Sequence, residues 1–71
     1  MKWNAGGEMS DLVGRAYDYV TYVSENSVLG TWIADTYDDE GEMVDECSFE
    51  MTSLPALLKA VEDAIEQREA N

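Results

Sequence analysis

Seventy-one residues make one small domain near the lower size limit for folding alone, and sixteen Asp or Glu against four Lys or Arg give it a net charge of −12. So one-signed a chain has too few cations to neutralise phosphates, and it repels nucleic acids and anionic membranes. A single cysteine, Cys47, and no histidine exclude an internal disulfide and leave no ordinary zinc ligand set, so packing or self-association must hold the fold together.

The hydrophobic content of 45% is that of a globular domain and sets the chain apart from disordered acidic tails. Met1-Lys2-Trp3 leads into polar Asn4, Gly6, Gly7 and Glu8, so no signal peptide is predicted. Residues 1–9, with two glycines and little pattern, read as a flexible N-terminal arm.

Residues 10–24 carry two signals. Leu12, Ala16, Tyr19, Val20 and Val23 fit a helical face, but Tyr17 to Val23 is dense in β-favouring residues and Gly14 is a poor helix interior. The balance predicts a strand from about Ala16 to Ser24, with Tyr17, Tyr19 and Val23 on one face and Val20 and Tyr22 on the other. A polar turn at Ser24–Ser27 leads into a second strand, Val28–Ala34. Gly41 in Asp38-Asp39-Glu40-Gly41-Glu42 suits a tight charged turn. The alternation after it predicts a third strand, with Met43, Cys47, Phe49 and Met51 on one face and Val44, Glu46, Ser48 and Glu50 on the other.

The last element is a helix over 53–69. Thr52-Ser53 supplies its N-cap, Pro55 lies in its first turn, and Leu54, Leu57, Leu58, Val61, Ala64 and Ile65 form its apolar stripe. The expected fold is therefore α+β: a three-stranded antiparallel meander with a C-terminal helix on one face, β-β-β-α, the alternative being α-β-β-α.

Catalytic chemistry is poorly served. No histidine is present for acid–base work, and Cys47 lies among Asp45, Glu46 and Glu50, which disfavour a thiolate. The expectation is no enzyme, no catalytic residue and no cofactor. The Asp35–Glu46 stretch fails as a calcium loop: with Gly41 at the sixth position, Thr36 falls first and Cys47 twelfth, where a bidentate Glu is needed, so no metal site is predicted.

The binding candidates are carboxylates. No positive charge lies between Arg15 and Lys59, and half of all sixteen carboxylates fall between Asp35 and Glu50. Asp35, Asp38, Asp39, Glu40, Glu42, Glu46 and Glu50 are the candidate partner-binding residues, joined by Tyr17 and Tyr19. The first group would present like charges where a basic protein expects phosphates, and Glu62, Asp63, Glu66 and Glu69 of the helix extend the set. Aromatic residues on the sheet face that one helix cannot cover are a second surface. Either the arm covers it through Trp3, Met9 and Leu12, or it forms a partner or homodimer interface.

In size and acidity, over its whole length, the chain resembles small phage-encoded anti-CRISPR and anti-restriction proteins of the DNA-mimic type. The resemblance implies an inhibitor that blocks a basic, nucleic-acid-binding surface of a host defence complex, acting in the host cytoplasm, where a lone cysteine stays reduced. The competing expectations are a haloarchaeal domain whose acidity is salt adaptation, and an immunity protein or antitoxin that neutralises a basic nuclease.

Overall fold

The computed structural model describes residues 1–71. Five strands, β1 (Lys2–Ala5), β2 (Leu12–Ala16), β3 (Tyr19–Asn26), β4 (Thr31–Tyr37) and β5 (Phe49–Met51), form one antiparallel sheet in chain order, followed by helix α1 (Leu54–Ala70). The α+β class is as expected, the strand count is five rather than three, and the helical alternative for residues 10–24 is not adopted.

Each difference has a local cause. The expected strand Ala16–Ser24 is broken by a two-residue turn, Tyr17-Asp18, because Tyr17 takes φ 53° and lets Ala16 pair with Tyr19. Positive φ at the first turn position alone matches the type II′ pattern, where glycine is usual, so an aromatic residue hides the turn. The second strand begins at Thr31 rather than Val28. The Asn26 side chain accepts from the amides of Val28 and Leu29 (both 3.2 Å), and Gly30 at φ 70° completes a loop that leaves Val28 and Leu29 exposed.

The third strand survives only as Phe49–Met51. Asp45–Cys47 is a 3₁₀ turn, which brings residues three apart to one side. Val44 and Cys47 therefore both enter the core while Met43 is exposed, reversing the expected sides of Met43 and Val44. Residues 2–5, expected within a flexible arm, are instead an edge strand paired with β2, Trp3 lying opposite Gly14. A Cβ on Gly14 would stand 2.5 Å from the Trp3 ring, so only glycine lets that ring lie against the sheet.

The helix forms from the predicted signals. Ser53 caps the amide of Ala56 at 3.4 Å, Pro55 lies in the first turn, and Leu57, Val61 and Ile65 are buried one turn apart. α1 packs over β4, β5 and the 3₁₀ turn, and the Trp3 indole donates to Glu62 at 3.0 Å to tie β1 to it. Val23, Ala34, Val44 and Cys47 complete the core with the three helix residues. Burial pushes the Cys47 thiol above its usual range, which keeps it protonated.

Alternation gives the sheet two unlike faces. Trp3, Leu12, Ala16, Tyr19, Thr21, Val23, Trp32, Ala34 and Thr36 face the helix, so Trp3 and Leu12 do not cover the far face as one sequence reading expected. The other face, built on Val13, Val20, Tyr22, Ile33 and Tyr37, has no second layer.

Candidate protein-binding surface

The densest charge is fixed by backbone geometry. The Asp38 carboxylate accepts from the amides of Glu40 and Glu42 (both 2.9 Å), the Asp38 amide donates to the Glu42 carbonyl at 3.0 Å, and Gly41 takes φ 81°. A bridge between Tyr37 and Met43 closes the loop at its base. Asp38 is thus a half-buried staple, and it points Asp39, Glu40 and Glu42 outward as exposed carboxylates on a constrained loop.

The 3₁₀ turn carries this charge to the helix. Glu46 forms an ion pair with Arg68 near the end of α1. The Arg68 Nε donates to the Tyr19 hydroxyl at 2.9 Å, its guanidinium lies 5.9 Å from that ring's centre, and the Tyr19 hydroxyl donates to Glu69 at 3.0 Å. Tyr17, held over the helix by its turn, donates to the Glu66 carboxylate at 2.9–3.0 Å. Asp39, Glu40, Glu42, Asp45, Glu46, Glu66 and Glu69 thereby gather at one end of the molecule, the end of the Tyr17-Asp18 turn. Arg68 is already committed to Glu46.

The sequence candidates divide into three groups. Asp39, Glu40 and Glu42 belong to the exposed loop, with Asp38 as its staple. Glu46, Tyr17 and Tyr19 join the helix end. Asp35 and Glu50 lie apart on the uncovered sheet face, where Glu50 accepts from Thr31 at 2.8 Å. The expected row of Glu46 and Glu50 along one strand does not exist, because the 3₁₀ turn separates them. The links from Tyr17 to Glu66 and from Tyr19 to Glu69 join residues about fifty apart and had no local signal. Among all the carboxylates, no three converge to hold a metal ion.

The hydrogen bond to Glu66, and then the charge of Glu66 itself, raise the Tyr17 phenol above its ordinary value of 10.0; Tyr19 is raised chiefly by desolvation and by Glu69, with Arg68 opposing. Ionising either phenol would set a phenolate beside a carboxylate. Both tyrosines stabilise the fold fully below pH 10, and the contribution is lost as pH rises from there through their folded-state values. Alkaline titration read at the phenolate absorbance should show Tyr17 and Tyr19 ionising late, and Tyr17→Phe should remove one late component. A late component that Tyr17→Phe leaves unchanged would contradict these contacts.

No protein-family model, characterised protein or solved structure matches this chain. No helix is long and apolar enough to cross a membrane.

Proposed function

We propose that this protein is a non-enzymatic inhibitor that lays its acidic end on a basic, nucleic-acid-binding surface, in the manner of a DNA mimic directed at a host defence complex. The observation that carries the reading is the constrained Asp38–Glu42 loop, which holds three exposed carboxylates in place beside those of the helix end. Charges fixed before contact lose little entropy on binding, and a one-signed patch speeds encounter with a basic partner. Salt adaptation would spread acid over the whole surface. Here the uncovered sheet face carries Lys2 and Arg15 beside Asp35 and Glu50, so the excess lies elsewhere.

The test is displacement of labelled duplex DNA from CRISPR effector complexes and restriction endonucleases. The wild type should compete, and raising salt from about 0.1 to 0.5 M should weaken it as screening sets in. Asp39→Asn, Glu40→Gln and Glu42→Gln together should cost tenfold or more in affinity, about 1.4 kcal/mol, with no loss of thermal stability because Asp38 is kept. Undiminished competition by this variant would overturn the reading. A wild type that folds only in molar salt would put salt adaptation in its place.

A further inference from the structure

The uncovered face of the sheet is unlike the rest of the molecule. Tyr22 is its centre, 41% exposed, with Tyr37 set against it edge-on at 6.0 Å. Val20, Ser24 and Asp35 continue a shallow groove over β3 and β4, walled at one end by exposed Met9 and at the other by Asp38. Register places Lys2 beside Arg15 on the β1–β2 side of this face and Asp35 and Glu50 on the β4–β5 side. Neither Lys2 nor Arg15 forms an ion pair within the chain, while the two other cations are paired with Asp63 and Glu46.

With Asp38 at its rim this face carries two cations against three carboxylates, near balance in a chain of net −12, and its cations and anions sit on opposite sides of an apolar, aromatic strip. Such a pattern is complementary to itself. A two-fold axis running along β3 sets the β1–β2 side of one copy against the β4–β5 side of another, as an isologous interface requires. Arg15 of each copy then meets Tyr37 and Asp35 of the other, and the Tyr22 rings meet at the axis.

We propose that this face is a homodimer interface, in which two sheets pack face to face through Tyr22 with Arg15 and Asp35 pairing across the boundary. Strands about 4.8 Å apart make a five-stranded face about 20 Å wide, so two copies bury on the order of 1,000 Å², the lower bound for a specific interface. The dimer is accordingly weak, in the micromolar range, and leaves the acidic end of each copy free.

Sedimentation equilibrium in about 0.15 M salt should show monomer near 1 μM and dimer above about 100 μM, the span expected of so small an interface. Tyr22→Asp should leave the monomer alone at every concentration while its thermal transition stays in place. Arg15→Asp should weaken association tenfold or more, and adding Asp35→Arg to it should restore dimerisation. A wild type that stays monomeric up to about 500 μM would overturn the proposal. So would a dimer that Tyr22→Asp leaves intact, or one broken by the three loop substitutions in place of the sheet-face ones. The loop substitutions, which test the inhibitor reading, leave this dimer unchanged, so the two ideas fail separately.

Discussion

Leu57→Ala should leave the protein largely unfolded at 25 °C. Leu57 is fully buried where α1 meets the sheet, in a core of only seven buried apolar residues. Truncating a buried leucine costs about 2–5 kcal/mol, because the lost transfer energy adds to that of the cavity left behind. A single core in a domain this small rarely supplies more than about 3–5 kcal/mol. The subtraction leaves little or nothing. Urea unfolding followed by circular dichroism should show a midpoint shifted most of the way to zero denaturant. Leu58→Ala, one residue on and only half-buried, should retain a cooperative transition. Equal losses for the two leucines would mean that α1 does not bury the face described.

Thr36→Val should be the most damaging isosteric change in the sheet, and its effect should shrink when Thr21 is changed with it. The Thr36 hydroxyl donates to the Cys47 carbonyl at 2.7 Å and lies 2.7 Å from the Thr21 hydroxyl, all within the buried core. Since its hydrogen is committed to Cys47, Thr36 accepts from Thr21. The same residue's amide donates to the Ser48 hydroxyl at 3.1 Å, and its carbonyl accepts from the Val44 amide at 2.8 Å. Thr36 thus moors the 3₁₀ turn to β4. Replacing its hydroxyl by a methyl strands two buried groups, the Thr21 donor and the Cys47 acceptor, at about 1–3 kcal/mol each. Thr21→Val strands nothing, since Thr36 keeps its own donor bond, and should cost under about 1 kcal/mol. The double variant leaves only Cys47 unpaired and should be more stable than Thr36→Val alone. A denaturant-based double-mutant cycle reads this directly, and additive losses would show that the chain of hydroxyls does not operate as drawn.

How much of this was legible beforehand differs by element. Helix α1 was readable nearly to the residue because all its determinants are local: Ser53 as cap, Pro55 in the first turn, and a stripe whose Leu57, Val61 and Ile65 are the buried members. The sides of β3 were readable too, since Tyr19 and Val23 turn to the helix and Val20 and Tyr22 away. The Tyr17-Asp18 turn was not. Turn chemistry is announced by Gly, Asn or Pro, and here a tyrosine takes the positive φ. The β5 region misled for a related reason: its period-two pattern is genuine in the sequence, but the 3₁₀ turn resets the phase, burying Val44 and exposing Met43.

The candidate surface divides along the same line. By itself the sequence determined the acidity, its density between Asp35 and Glu50, the α+β class and the helix, because charge count and one-sided periodicity are properties of neighbouring residues. Only the tertiary structure decided that Asp38 is a staple rather than a free charge. It also decided that Glu46 meets Arg68, that Glu50 leaves the acidic cluster, and that Lys2 and Arg15 share the uncovered face with Asp35. Apart from the Asp38 bonds, which are local, those facts depend on which strands lie side by side and on contacts between residues up to 61 positions apart, and the order of strands in a sheet is set by the packing of the whole chain.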